Sequence, residues 1–136
     1  MPTLVAWNHA STVGVEAVDS EHAIMIDAMN ELRLALASGA ERVQANELLG
    51  RLIEITRIHF RNEELLMERY GYPGVAEHRK EHQRLITQLV ESTRRLQNAE
   101  HGSMNDLLCF LHDWFIDHVL EWDHQYVPWL NERGVY

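Results

Sequence analysis

The sequence has few of the residues that interrupt helices and almost none that cross-link chains. Its 136 residues include 7 glycines, 3 prolines and one cysteine. A single cysteine excludes an internal disulfide, which fits a reducing compartment. Because Cys109 lies inside the apolar run 107–111, we interpret it as a small buried hydrophobe.

Positive charge and long apolar runs are also scarce. The chain has 12 basic and 21 acidic residues, a formal charge of −9. Such a surface repels phosphate backbones and anionic lipids, so no nucleic acid or membrane-surface role is expected. No uncharged apolar run approaches the roughly 20 residues that span a bilayer, and residues 1–9 lack the features of a signal peptide. We therefore expect a soluble cytoplasmic protein with no membrane insertion.

The composition is that of one globular domain. Hydrophobic residues make up 46% of the chain and charged residues 24%, with no sign of disorder. A chain of this length buries one core but not two ordinary ones. We predict a single domain over residues 1–136.

The glycines and prolines fall where helix boundaries are expected. Asp19 or Ser20 can cap a first helix that runs to about Ser38, with Gly39 as its C′ residue. A second helix is predicted over 41–69. It is ended by Gly71.

Two further helices follow. Pro73 is well placed as the first residue of a third helix reaching about Asn98. Gly102-Ser103 opens a fourth, with Ser103 and Asp106 in capping-box-like spacing. Pro128 and Gly134 predict a kinked or broken C-terminal extension.

The predicted fold class is all-α, an antiparallel up-down-up-down four-helix bundle, because about four long helices are joined by short loops and no strand-like alternation competes. We divide the chain into an N-terminal arm (1–18), the bundle (19–126) and a short C-terminal helical extension (127–136). The arm packs against the bundle through its apolar residues: Trp7, Val13, Val15 and Val18.

Each predicted helix has an apolar stripe that runs into a histidine. The stripes contain, in chain order, His22 with Met25, Ile26 and Met29; His59 and Glu63 with Leu52 and Leu66; His78 and His82 with Leu85 and Leu89; and His118 with Leu111 and Trp114. Burying imidazoles and a carboxylate costs several kcal/mol unless each finds a partner, and a shared metal centre would satisfy all of them.

The spacing supports a metal site. His59 with Glu63, and His78 with His82, are i,i+4 pairs that can direct two donor atoms to one volume. One such pair alone is weak evidence, because surface and core histidines are common. Two pairs in phase with the stripes of four helices are much harder to obtain by chance. The remaining histidines are assigned to the arm, loop and surface: His9, His101, His112 and His124.

Asp123 does not fit the periodicity. It follows His118 by five residues, which is about 140° further round an ideal helix. Three interpretations stay open. The helix deforms through a π-type turn, Asp123 bridges from a different angle, or it is an exposed aspartate beside His124.

Three motifs together resemble the hemerythrin signature, with similarity extending over residues 7–126. The first is Gly14-Val15, Asp19 and Glu21-His22. The second is the run 59–64 (HFRNEE) with Met67, Tyr72-Pro73 and 78–82 (HRKEH). The third is 118–126 (HVLEWDHQY), whose spacing of histidine and aspartate matches the family and adds Asp123 to the candidate ligands.

The resemblance implies a non-haem di-iron centre with an oxo or hydroxo bridge. It implies ligation of one iron by His78, His82 and His118, ligation of the other by His22 and His59, and bridging by Glu63 and Asp123. Five imidazoles, two bridging carboxylates and the bridging oxygen then fill eleven of twelve octahedral positions. The open position lies on the iron with two histidines and suits dioxygen.

The implied function is reversible dioxygen binding for transport, storage or delivery, without enzymatic turnover and with an unknown protein as the oxygen acceptor. Ile26 and Trp114 are candidates for lining an oxygen pocket, although they equally fit plain core packing. The alternatives are a di-iron enzyme (peroxidase, ferroxidase or nitric-oxide handling), an oxygen or redox sensor module, and zinc or iron storage.

Overall fold

A computed structural model describes residues 13–39, 42–97 and 104–136, and within these ranges every regular element is helical. The elements are α1 (Glu16–Ala37), α2 (Arg42–Arg69), α3 (Val75–Gln97), α4 (Met104–Asp113), a π-helical segment (Trp114–Leu120) and α5 (Glu121–Glu132). The last three follow one another without a break and form the fourth long helix. Because α1 packs on α2, α2 on α3 and α1 on α4, the predicted four-helix bundle is confirmed.

The first helix begins earlier than the sequence predicted. Its first residue is Glu16, so neither Asp19 nor Ser20 is the N-cap. Asp19 instead lies in the first turn, where its carboxylate accepts the backbone N–H of Val13 at 2.7 Å and of Gly14 at 3.3 Å. The carboxylate thus ties the preceding segment back onto the helix, which lets helical geometry extend to Glu16.

The predicted arm overlaps α1 from Glu16 onward, and its described apolar residues are buried. Val13, Val15 and Val18 are buried. The backbone carbonyl of Gly14 accepts a hydrogen bond from Asn131 of α5 at 3.2 Å. The prediction for Trp7 falls outside the described residues, as does the Ser103–Asp106 capping box.

The predicted ends of the first two helices are correct. Gly39 has a φ of 79° just after α1, and Gly71 has a φ of 67° just after α2. At the second of these ends the N–H of Tyr72 reaches the carbonyl of Met67 at 2.9 Å, and that of Gly71 reaches Glu68 at 3.1 Å. This pattern is a Schellman motif, which needs a left-handed residue and therefore favours glycine.

Pro73 is not the first residue of the third helix. Helix α3 begins two residues later, at Val75. The intervening turn places the half-buried ring of Tyr72 against the rings of Tyr126 and Trp129, with centroid separations of 6.2 and 6.1 Å. Starting the helix at Pro73 would remove this turn.

Of the predicted kink or break at Pro128, the break is wrong, because α5 continues through Pro128 to Glu132. The next residue anchors this part of the chain, since Trp129 donates its indole N–H to the carbonyl of Tyr70 at 2.8 Å. The Arg133 guanidinium lies 3.4 Å from the centre of the Trp129 ring. Gly134, with a φ of 81°, follows the end of the helix.

Cys109 is exposed, so its interpretation as a buried hydrophobe is wrong. Leu107 and Leu111 are buried on the same helix. Cys109 is two residues from each, and two residues correspond to about 200° of rotation, which puts the thiol on the opposite face.

No helix among the described residues is long and apolar enough to cross a membrane.

Candidate metal centre

Six of the seven predicted ligands lie buried in the centre of the bundle. They come from α1 (His22), α2 (His59, Glu63), α3 (His78, His82) and α5 (Asp123), and none is more than 4% exposed. The side chain of the seventh, His118, lies outside the described residues, although its backbone belongs to the π-helical segment. Of the histidines assigned elsewhere, His112 and His124 are exposed, and His9 and His101 are outside the described residues.

The buried side chains form two adjoining groups that share both carboxylates. One group contains His22 and His59 with Glu63 and Asp123, and the other contains His78 and His82 with the same Glu63 and Asp123. Within each group the donor atoms lie within 4.8 Å of one another. Two positions able to hold a cation are therefore side by side, with carboxylates between them.

The π-helical segment places Asp123 in the core. In an uninterrupted α-helix, Asp123 would lie about 120° around the helix axis from buried Leu111. The wider i→i+5 turns of a π-helix absorb one extra residue, which reduces this angle to about 20°. The segment Trp114–Leu120 lies between the two residues and supplies this correction. Asp123 is accordingly 1% exposed. The deformed helix is one of the three interpretations that the spacing left open.

The carboxylates touch imidazoles from three helices. Asp123 lies 2.7 Å from Nε2 of His22 and 3.2 Å from Nε2 of His78. Glu63 lies 2.5 Å from Nε2 of His59 and 3.4 Å from Nε2 of His78. The Nε2 atoms that face these carboxylates are the ones that would bind a metal.

Several buried donor atoms of the cluster make no well-directed hydrogen bond among the described residues, although some of them lie close to one another. They include both ring nitrogens of His22, Nε2 of His59 and His82, both oxygens of Glu63 and Oδ2 of Asp123. Buried polar groups in folded proteins are nearly always satisfied. Nitrogen and oxygen donors that converge in this way fit an iron or zinc ion, which would satisfy these atoms together.

An outer carboxylate orients His59. Its Nδ1 lies 3.2 Å from Oε1 of Glu21, on α1. The second oxygen of Glu21 accepts a hydrogen bond from Asn62 at 2.8 Å. Such a partner fixes the tautomer that leaves Nε2 free for a metal. Sequence reasoning did not identify Glu21 in this role.

A second outer carboxylate orients His82. Its Nδ1 lies 3.1 Å from Oε2 of Glu64, and the other oxygen of Glu64 accepts a hydrogen bond from Arg79 at 3.0 Å. The ring of Phe60 stacks on that of His82, with centroids 3.8 Å apart and planes 3° from parallel. Glu64 was likewise missed, although it immediately follows the predicted ligand Glu63.

Tyr126 closes one side of the cluster. Its ring packs edge-on against His78 at a centroid distance of 5.4 Å, and its side chain is fully buried. Burial and then the charges of Glu63 and Asp123 raise the pKa of its hydroxyl well above the usual value. The hydroxyl therefore stays protonated beside the carboxylates.

The imidazoles that touch carboxylates hold their protons strongly when no metal is bound. Burial opposes the charge of His59, but Glu63 and Glu21 outweigh it and raise its pKa to about 10. For His78 the same balance, with Asp123 and Glu63 as the partners, raises the pKa to about 9. Burial dominates at His82 and lowers its pKa.

The pKa values of the two buried carboxylates shift in opposite directions. Burial and then the charge of Glu63 raise the pKa of Asp123. Burial alone would raise the pKa of Glu63 too, but contact with His59 holds it well below the usual value. Metal-free protein thus keeps an imidazolium–carboxylate pair at the site.

Metal uptake is expected to release protons. His59 and His78 are protonated at pH 7 in the metal-free protein, and only neutral imidazole binds a metal, so loading should release about two protons per chain. The pKa values of both histidines are higher in the folded protein than in the unfolded chain. Their ion pairs therefore stabilise the metal-free fold fully below pH 6.5, and this stabilisation is lost as pH rises through 9 to 10.

An anaerobic titration with Fe²⁺ in weakly buffered solution, followed with a pH indicator, measures this release. Metal affinity should fall as pH is lowered from 8 to 6. Replacing the exposed His112 by alanine should change neither result. Metal affinity that is constant over this range would contradict the expectation.

The two predicted pocket residues and Phe115 are buried, and Phe115 contacts the His22 end of the cluster. Ile26, Trp114 and Phe115 are each at most 2% exposed. The Phe115 ring packs edge-on against His22 with centroids 5.6 Å apart. Trp114 donates its indole N–H to the carbonyl of Leu85 at 3.1 Å, so its one polar atom is satisfied within the protein.

A helical bundle whose inward faces bring imidazoles and carboxylates into two adjoining groups belongs to the class of metal-binding four-helix bundles. The sequence places it more narrowly. Residues 13–130 match the family described as the hemerythrin HHE cation binding domain. The chain belongs to the hemerythrin family.

Individual relatives agree with this assignment. The bacteriohemerythrin of Stenotrophomonas maltophilia is 31% identical over 90% of this chain and 79% of its own. The bacteriohemerythrin of Methylococcus capsulatus is 29% identical over 94% of this chain and 98% of its own. A crystal structure of wild-type hemerythrin superposes with a TM-score of 0.82 at 29% identity, covering 93% of this chain and 98% of that one.

Proposed function

We propose that the protein binds dioxygen reversibly at a di-iron centre and does so without enzymatic turnover. Two irons are held by His22 and His59 on one side and by His78, His82 and His118 on the other, with Glu63 and Asp123 between them. The proposal rests above all on one observation, the two adjoining donor groups that share both carboxylates. The domain that performs this function extends over the whole chain.

The donor set is unequal on its two sides. Two histidines belong to the side of α1 and α2, and three to the side of α3 and the fourth helix. With both carboxylates shared, the side of His22 and His59 contributes one ligand fewer. A small molecule therefore has room to bind there.

When bound, a pair of ferrous ions supplies the two electrons that reversible dioxygen uptake requires. The chain contributes mainly neutral imidazoles and only two inner carboxylates, a set that favours the ferrous state more than a carboxylate-rich one. Glu21 holds His59 in the ligating tautomer. Glu64 does the same for His82.

The buried apolar side chains near His22 keep water from this side of the cluster. The Phe115 ring packs against His22, and Ile26 is buried one turn after His22 on α1. The indole N–H of Trp114 is bonded to Leu85 and is not free to hold water. An apolar enclosure favours a diatomic gas over water. It also withholds the protons that would make oxygen uptake irreversible.

Repeated cycles of oxygen and argon test the proposal. Iron-loaded protein should bind about two irons per chain, gain a charge-transfer band under oxygen and lose it under argon over several cycles, because water is excluded from the site. The variants His112→Ala and His124→Ala, which alter exposed histidines, should behave identically. Bleaching within one cycle, or steady turnover of peroxide or nitric oxide, would instead identify a di-iron enzyme.

A further inference from the structure

A groove between α2 and α3 lies beside the metal centre but outside it. Its volume is about 650 Å³. Small-molecule sites typically have about 300 to 1,000 Å³. The groove reaches His82 at its inner end, where Phe60 stacks on the imidazole. Together with Phe60, Ile86 and Val90 give it an apolar floor.

Positive charge at the rim of this groove is not neutralised by the protein. Arg57 and Arg61 line it from α2 and are exposed. Among the described residues, no acidic side chain pairs with either of them. The lining carboxylates are already engaged, because Glu64 accepts from Arg79 and Glu91 accepts from Arg94 at 2.7 Å.

The two arginines repel each other weakly, and an anion between them would offset this repulsion. They are four residues apart, so they lie one above the other on α2, where like charges repel. The chain carries 21 acidic residues, yet none of those described pairs with Arg57 or Arg61. Two guanidinium groups above an apolar floor complement a ligand that has an anionic head and a planar apolar body.

We propose that the groove between α2 and α3 binds a small organic anion, an aromatic carboxylate or phosphate monoester, with its charge on Arg57 and Arg61 and its ring on Ile86 and Val90, at the edge of Phe60. The bound ring contacts the residue that stacks on His82. Binding therefore changes the surroundings of a metal ligand without occupying the metal position.

Matched naphthalene derivatives test this proposal by isothermal titration calorimetry on iron-loaded and iron-free protein. Naphthalene-2-carboxylate and 2-naphthyl phosphate should each bind at one site per chain. The anion that binds more tightly identifies the head group that the groove prefers. The neutral naphthalene-2-carboxamide should bind at least about tenfold more weakly, because it lacks the charge that the arginines recognise.

Single substitutions locate the site. Arg57→Gln and Arg61→Gln should each weaken binding of the tighter anion by about tenfold, the usual scale for losing one charge-assisted hydrogen bond. Arg51→Gln is the matched control, since Arg51 lies on the same helix and pairs with Glu31 outside the groove. This control should bind normally.

A second readout concerns the iron. The colourless anion should shift the visible absorption of iron-loaded protein, and the shift should disappear in Arg57→Gln. No binding of either anion at millimolar concentration, equal binding of the carboxamide, or unchanged binding by both arginine variants would overturn the proposal. These results would leave the oxygen-binding function untouched, because calorimetry on iron-free protein does not depend on it.

Discussion

Replacing Glu63 by alanine is expected to abolish binding of both irons and to lower the free energy of unfolding by roughly 3 to 5 kcal/mol. Glu63 is 1% exposed and lies between His59 and His78. Its loss removes a ligand shared by both metals and leaves buried imidazoles without a carboxylate. Iron analysis and chemical denaturation of the metal-free protein measure the two effects separately.

Two further variants make the Glu63 result interpretable. Glu63→Gln keeps the shape of the side chain and should fold even if the alanine variant does not, yet it should bind less than one iron per chain. Glu54→Ala removes an exposed carboxylate from the same helix and should change neither quantity. A Glu63→Ala protein with two irons would exclude the proposed ligand set.

Removing the iron should destabilise the protein strongly. Without metal, donor atoms such as Nε2 of His82 make no well-directed hydrogen bond, and each unsatisfied buried group costs about 1 to 3 kcal/mol. We expect chelation under reducing, anaerobic conditions to lower the free energy of unfolding by about 5 kcal/mol or more, and Tm by roughly 15 to 20 °C.

Differential scanning calorimetry before and after chelation measures this change. Adding Fe²⁺ back should restore the original Tm, whereas Mg²⁺ should not, because it prefers oxygen ligands and octahedral hydration. The ion pair of His59 with Glu63 limits the loss in the metal-free state. Equal melting temperatures with and without iron would show that the buried donors are satisfied by the protein alone.

Helical periodicity was sufficient to predict the fold and most of the buried cluster. His22, His59, Glu63, His78 and His82 each continue an apolar stripe, and all five are buried where the stripes meet. The reason is geometric, because a side chain in phase with a buried face has nowhere else to point. Asp123 breaks this rule, and only the family resemblance included it among the ligands.

The errors at helix boundaries concern places where tertiary contacts override local preferences. Helix α1 begins early because Asp19 reaches back to the backbone of Val13. Helix α3 begins late because the turn before it holds Tyr72 against Tyr126 and Trp129. Pro128 stays inside a helix in spite of its missing N–H. None of these contacts follows from the identity of the neighbouring residues alone.

The outer partners were missed for a related reason. Glu21 and Glu64 each stand next to a predicted ligand in the sequence, a position that usually points away from the core. Both bond to a histidine on a different helix, Glu21 to His59 and Glu64 to His82. Their role depends on the distance between helices, which periodicity does not report.

The exposed thiol has a practical consequence. Because the chain contains one cysteine, a maleimide reagent attaches at a single known position without any engineering. Cys109 stands on α4 with its side chain directed away from the packed interior. A nitroxide attached there would let pulsed electron paramagnetic resonance count and locate the paramagnetic ions within each molecule.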